Sequence, residues 1–282
     1  MWEPSEQPSQ PSAEQMRQSN EPIQRSAENA QKKQLPPPPP GAPVRPEQLP
    51  LPPPIEGVPP GLEYLTMIDE IVIHQLIEIL ELASGVEIGN KYSLRNVHGE
   101  QAYYAFEEST CLQRQFCCSL RKFILHVVDN FKREVIIVRR PLRLCAGGCF
   151  GLCACIQCCS GQCSVESPPG NVIGTVEQRQ ACCATCFDVR DANGELLYEV
   201  NGPCCIVLCG CQNKHFPIYT TSKEKIGVIT KVWGGYEREV YTKADIFKVT
   251  FSMDLDVLNK AILIGATFLI DYMEFENQQM RQ

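Results

Sequence analysis

Val257-Leu-Asn-Lys-Ala-Ile-Leu-Ile-Gly-Ala-Thr-Phe-Leu-Ile270 is apolar on almost every side of a helical wheel, and a helix of that kind is buried all round, either inside protein or in lipid. Length bears on the choice. The uncharged core Ala261–Ile270 is bounded by Lys260 and Asp271; at about 1.5 Å per residue it reaches roughly 15 Å, half of a hydrocarbon slab of about 30 Å. Extending the helix to 257–273 brings Lys260 and Asp271 inside its ends, where in lipid they would have to snorkel. The pattern therefore favours a helix filling a protein core, with Ile262, Ile264, Gly265, Phe268 and Ile270 among its buried or membrane residues. A single membrane pass with the N-terminal domain cytoplasmic is the alternative.

What surrounds this helix reads mainly as strands. Phe123–Val128 and Glu134–Val138 flank the turn Asp129-Asn130, and Cys186–Arg190 and Glu195–Val200 flank Asn193-Gly194, a strong hairpin signal. Lys91–Arg95 and Gln101–Phe106 enclose Gly99, while Lys225–Lys231 and Ile246–Phe251 add further strands. Ile68–Leu82 fits both periods in part. Closely spaced strands with tight turns predict an antiparallel sandwich or barrel.

Residues 1–60 are different. They are polar and then proline-rich, with Pro36–Pro40 and Pro52–Pro54, and they lack the apolar residues to build a core, so they read as a disordered, partly polyproline II tail. PxxP spacing at Pro36–Pro39 and Pro50–Pro53 makes Src-homology and WW modules candidate partners, beside the plain spacer reading. The globular domain is placed at 61–277.

All 17 cysteines lie between Cys111 and Cys211. Disulfides, metal ligation and lipid attachment compete for them. No apolar signal segment opens the chain, and the cysteine count is odd, which disfavours a disulfide scaffold. The densest run holds Cys145, Cys149, Cys153, Cys155, Cys158 and Cys159, and directly follows the basic stretch Arg139-Arg140-Pro141-Leu142-Arg143. Between Cys111 and Arg143 the bases are Arg114, Arg121, Lys122, Lys132, Arg133, Arg139, Arg140 and Arg143, against only Asp129 and Glu134; Leu144–Val165 then carries no charge. Acyl chains beside a cationic patch are the two signals that together hold a domain on an anionic phospholipid leaflet, although such bases are also read as the solvated faces of strands. Zinc is the rival for the thiols: Cys155-x-x-Cys158 and Cys183-x-x-Cys186 have half-site spacing, but the 24 residues between them exceed the usual range of roughly 15 to 20. The net charge of −7 argues against a nucleic-acid binder. Neither HExxH, G-x-S-x-G nor a P-loop occurs, and His74, His98, His126 and His215 fall into no catalytic signature.

Several short elements resemble the phospholipid scramblases: Pro59-Pro-Gly-Leu-Glu-Tyr-Leu65, Ile73-His-Gln75, Asn90-Lys-Tyr92, Arg140-Pro-Leu-Arg143, Pro168-Pro-Gly170, Asn201-Gly-Pro-Cys204, Thr242-Lys-Ala-Asp245, Asp254-Leu-Asp-Val257 and Ile264–Asp271. They appear in that family's order from Pro59 to Glu276. The resemblance implies a tubby-like fold, a closed barrel of about a dozen strands around a hydrophobic C-terminal helix. It also implies calcium-activated, ATP-independent movement of phospholipids between leaflets, a palmitoylated cysteine cluster and a proline-rich N-terminal tail; acylation of that cluster would place the protein on the cytoplasmic face of the plasma membrane.

Two implied features are degraded. The resemblance maps an acidic 12-residue calcium loop onto Lys243–Asp254, where Asp245 and Asp254 are the remaining carboxylates, Lys243 stands at the first ligand position and Lys248 replaces the turn glycine. Phe247, Val249 and Phe251 alternate with polar residues there, as in a half-buried strand. The segment matching the family's nuclear-import motif, Gly227–Trp233, retains only Lys231 of its basic positions and reads as another strand. The leading expectation is a membrane-attached scramblase-like protein with calcium as a candidate cofactor. The alternatives are a palmitoylated lipid-binding or signalling barrel without translocation, and a zinc protein.

Overall fold

The computed structural model describes residues 52–76, 89–109, 122–142, 160–181, 184–204, 212–235 and 244–275. A 3-10 turn, Glu63–Met67, leads into twelve antiparallel strands: β1 Glu70–Leu76, β2 Lys91–Arg95, β3 Gln101–Glu108, β4 Phe123–Asp129, β5 Glu134–Arg140, β6 Gln162–Glu166, β7 Val172–Arg179, β8 Ala184–Asp191, β9 Leu196–Cys204, β10 Lys214–Thr220, β11 Lys225–Val232 and β12 Ile246–Phe251. Each strand pairs with the next, and β1 pairs with β12, so the sheet closes on itself without a free edge. The sequence reading of a closed barrel holds. It had not marked β6, β7 or β10, while β1 resolves the ambiguous opening of Ile68–Leu82.

Period-2 alternation builds the staves. In β4, Phe123, Leu125 and Val127 are buried, with half-buried Ile124, His126 and Val128 between them; β12 buries Phe247, Val249 and Phe251 in the same way. Pro203 is accommodated in β9 where the β9–β10 ladder covers only Tyr198–Val200, beyond which, among the described residues, no strand partner on that side requires its missing N–H.

Inside the barrel lies α1, Val257–Ile270, followed by one wider turn, Asp271–Phe275. Every residue from Lys260 to Ile270 is buried. This is the core-filling alternative, and the uniform apolarity follows from it, because a helix inside a closed barrel has staves on all sides. Among the described residues no helix is long and apolar enough to cross a membrane. Asp256 caps the start of α1, its carboxylate accepting from the amides of Leu258 at 2.9 Å and Asn259 at 3.4 Å. Gly265 allows close approach to β6, since a Cβ there would sit 2.5 Å from Cγ2 of Val165.

The charges that bound the apolar stretch are also buried. The Lys260 ammonium is fully enclosed at the near end, where α1 enters, and donates to the carbonyls of Leu65 (3.0 Å), Ile68 (2.9 Å) and Met253 (3.1 Å). Burial pulls its pKa down, with Asp69, Asp254 and Asp256 opposing. At the far end Asp271 accepts from the Tyr92 hydroxyl at 2.7 Å, and the Tyr272 ring stacks on Phe123 with centroids 3.9 Å apart. Tyr272 donates to Glu107 and accepts from the Asn90 amide. Short turns join strands at the near end; the far end carries the longer connections, including those of the cysteine run.

Candidate functional site

A cleft of about 860 Å³ opens at the far end. Its origin lies in the strand register. β5 and β6 are paired only from Ile137↔Glu166 to Arg139↔Ser164. Beyond that point Arg140 pairs with β4 alone, opposite Phe123, and Cys163 and Gln162 pair with β7 alone. The two staves separate, and the gap reaches side chains of the barrel interior.

Arg139 and Arg140 line the cleft from opposite sides of β5. Adjacent residues of a strand point to opposite faces, so they do not form the single solvent-facing patch that their sequence suggests. Arg139 faces outward with 44% of its side chain exposed and pairs with Glu166 at 2.5 Å. Burial alone would raise the Glu166 carboxyl, but hydrogen bonds from Arg139 and the Gly170 amide outweigh it and hold the pKa below its usual value. Arg140 is only 2% exposed, and its guanidinium lies 5.9 Å from the Phe123 ring centroid. Phe123 thus contacts both the Arg140 cation and the Tyr272 ring. Arg143 and the run Cys145, Cys149, Cys153, Cys155, Cys158 and Cys159 lie outside the described residues. Their points of attachment are fixed, however: the chain leaves the far end after Leu142, which is 53% exposed, and returns at Ser160 beside the cleft.

The Scramblase family model matches residues 49–277, a range that takes in every strand and α1. The chain belongs to the scramblase family. It is 40% identical to phospholipid scramblase 1 of Rattus norvegicus over 227 residues, covering 79% of this chain and 65% of the relative. It is 41% identical to human phospholipid scramblase 1 over 220 residues, covering 78% of this chain and 67% of the relative. A third relative, human phospholipid scramblase family member 5, is 41% identical over 222 residues, with 78% and 79% covered. The chain thus spans about two thirds of the length of the scramblase 1 proteins.

Within this scramblase domain the two carboxylates of the degraded calcium loop do not meet. Asp245 precedes β12 and Asp254 follows it, so the strand holds them on the order of 20 Å apart. Asp245 pairs with Lys231 of β11 at 2.7 Å, and Asp254 is exposed in the turn before α1. Among the described residues no group of three or more His, Cys, Asp or Glu side chains could hold a metal. Gly227–Val232 lies in β11, in agreement with the strand reading of that segment.

Of the thiols that are described, Cys163 is fully buried in β6, and burial pushes its pKa up to about 12. A thiol so placed is withdrawn from acyl chemistry. Cys186, half of one CxxC pair, is buried in β8; Cys155, Cys158 and Cys183 fall outside the described residues. His126 contacts Glu134 and, at 3.0 Å, Glu108, and stacks on Phe106, which ties β3, β4 and β5 together on the outer face. The separation of β5 from β6 carries no sequence signal, because it depends on pairing across a connection of some twenty residues, and Gln162, Ser164, Thr175 and Glu177 were therefore not singled out.

Proposed function

We propose that this chain is a membrane-attached, scramblase-like protein that lets phospholipids pass between leaflets in both directions without ATP, down their own gradient. The observation that carries this reading is the family match across the whole barrel, with about 40% identity to relatives named phospholipid scramblases. Attachment is assigned to thioesters on Cys145–Cys159 at the cytoplasmic face of the plasma membrane, assisted by Arg139 and Arg143. The far end supports that assignment, since the outward-facing Arg139 and the exposed Leu142 stand where the cysteine run leaves the barrel. Src-homology or WW modules are the partners assigned to the proline-rich tail. Calcium responsiveness is part of the reading, but Asp245 and Asp254 are not placed to share one ion.

A second reading has its own support. α1 fills the barrel, with buried side chains from Lys260 to Ile270, so the lumen offers no route for a lipid and the protein acts as an acylated lipid-binding or signalling barrel. The purified full chain, reconstituted in vesicles with a fluorescent phospholipid and assayed with and without calcium, separates the two. The first reading expects faster exchange between leaflets than in empty vesicles. Membrane binding with no gain in exchange would leave only the second.

A further inference from the structure

The described residues begin against the barrel. Pro52 lies in a shallow groove at the near end, between the 3-10 turn and the β4–β5 turn, together with Tyr64, Tyr103, Phe131 and Arg133. Tyr64 and Tyr103 meet edge to face with centroids 6.3 Å apart. Both hydroxyls are engaged: Tyr103 donates to the Gly61 carbonyl at 2.9 Å, and Tyr64 accepts from the Asn96 amide at 3.0 Å. The β4–β5 turn is equally fixed, because the Asp129 carboxylate accepts from the backbone amides of Phe131 (2.8 Å) and Arg133 (2.9 Å) and from Nε of Arg133 (2.6 Å). Phe131 stands at the tip of this turn with 53% of its surface exposed. The groove is therefore aromatic and preformed.

The residues that precede Pro52 are Pro46-Glu-Gln-Leu-Pro-Leu51. The Scramblase match begins at Leu49, so the family domain includes part of this stretch. Proline-rich backbone favours polyproline II, which docks in aromatic-lined grooves because it is already extended and loses little entropy on binding. From Pro52 back to Glu47 such a chain spans about 15 Å, enough to pass the Phe131 ring that lines the same groove. Charge agrees. Glu47 is the only charged residue of the segment 46–55, and the turn presents Lys132 and Arg133, both exposed. We propose that this groove is the docking site of the chain's own Glu47–Pro53, with Leu49, Pro50 and Leu51 covering Phe131 and Tyr64. Pro52, already seated, is the tether, and it turns the docking of its neighbours into an intramolecular event at high effective concentration. The inference goes beyond the lipid-handling reading and does not depend on it. Its consequence is that the two PxxP spacings are not equivalent. Pro50–Pro53 is bound in cis, and a Src-homology or WW module would have to displace it, whereas Pro36–Pro39 lies outside the docked segment.

The test uses the purified full chain carrying Phe131→p-benzoylphenylalanine, irradiated, digested and mapped by mass spectrometry. The expected product is an intramolecular adduct between position 131 and a residue from Glu47 to Leu51. Changing Leu49 and Leu51 together to glycine should lower its yield several-fold, which mere proximity along a loose chain would not. An adduct that joins two chains assigns the groove to a second copy and overturns the proposal. Adducts confined to Pro52 and later residues, or a yield that the glycine changes leave intact, overturn it as well. A second measurement needs no probe. Glutamyl endopeptidase cuts after Glu47, and Phe131→Ser should speed that cut about tenfold while leaving the cut after Glu28 unchanged, since cleavage follows the population of the undocked segment. Phe131 is an exposed turn residue outside the core, so this variant should keep the parent's thermal midpoint. Equal rates of cleavage after Glu47 in parent and variant would show that nothing is docked there. Lipid exchange in vesicles is read separately, and neither of its outcomes bears on this site.

Discussion

The Lys260 ammonium donates to the Ile68 carbonyl at 2.9 Å across 192 residues of sequence. With its bonds to Leu65 and Met253 it joins the helix to the segment before β1 and the turn after β12. It therefore holds the seam where the barrel closes. Lys260→Met keeps most of the volume but leaves three carbonyls without that donor, and should lower unfolding free energy by about 2–4 kcal/mol. Denaturant titration followed by circular dichroism measures this, and a change within about 0.5 kcal/mol, the range of ordinary surface substitutions, would remove the seam role.

Gly265 is the second tight point of α1. A side chain there meets Val165 and, at 3.6 Å, Val138, so β5 and β6 would have to move outward. Gly265→Val should destabilise the fold by about 1–3 kcal/mol through overpacking, seen as a lower thermal midpoint. An unchanged midpoint would mean that the helix can shift within the barrel.

Acid should weaken the wall between β7 and the β10–β11 turn through Glu199 of β9. Hydrogen bonds from Lys223 and Arg179 hold its carboxyl below the usual range. A depressed folded-state pKa gives stability that is fully present above the unfolded value of about 4.3 and is lost as pH falls through the folded value. Glu199→Gln should thus be less stable than the parent at neutral pH, with the two curves converging in acid. Curves that stay parallel down to the lowest pH would show that the ion pairs do not carry the difference.

Changing Cys145, Cys149, Cys153, Cys155, Cys158 and Cys159 together to serine should abolish hydroxylamine-sensitive acyl labelling in cells and release the protein from the membrane fraction. Each chain lost removes about 0.8 kcal/mol of anchoring per buried methylene. Labelling that persists in the variant would place the acyl groups on other cysteines.

Asp254 is an exposed turn carboxylate, and Asp254→Asn should alter stability by no more than about 0.5 kcal/mol. Any calcium dependence of lipid exchange in vesicles should also be unchanged. A weaker calcium response in this variant would place the ion at the turn before α1.

The barrel was legible because its hairpins carry local signals. Asn193-Gly194 marks the β8–β9 turn, where the Asp191 side chain accepts from the amides of Asn193 and Glu195, and the alternation in β4 and β12 matches their buried faces. β6 was hidden because Cys163 and its neighbours looked like the end of the cysteine run, and no charge alternation set them apart. The all-round apolarity of α1 was correctly read, but Lys260 and Asp271 were read as the limits of its burial. They are buried too, because backbone carbonyls and the Tyr92 hydroxyl satisfy them internally. Arg140 shows the converse: charge alone placed it at the surface, and strand parity turned it inward.

Closure of the sheet has a consequence for how the protein is made. β12 completes the ring by pairing with β1, and α1, the filling, follows β12 in the chain. Until the ribosome has added β12 and α1, the first eleven strands can neither close nor cover their inward Val, Ile and Phe side chains. The nascent chain therefore presents two unsatisfied sheet edges and an apolar concave face until β12 and α1 have been made, a state that invites chaperone binding. A stop codon placed before Val257 should accordingly yield an aggregating or rapidly degraded product rather than a smaller working barrel.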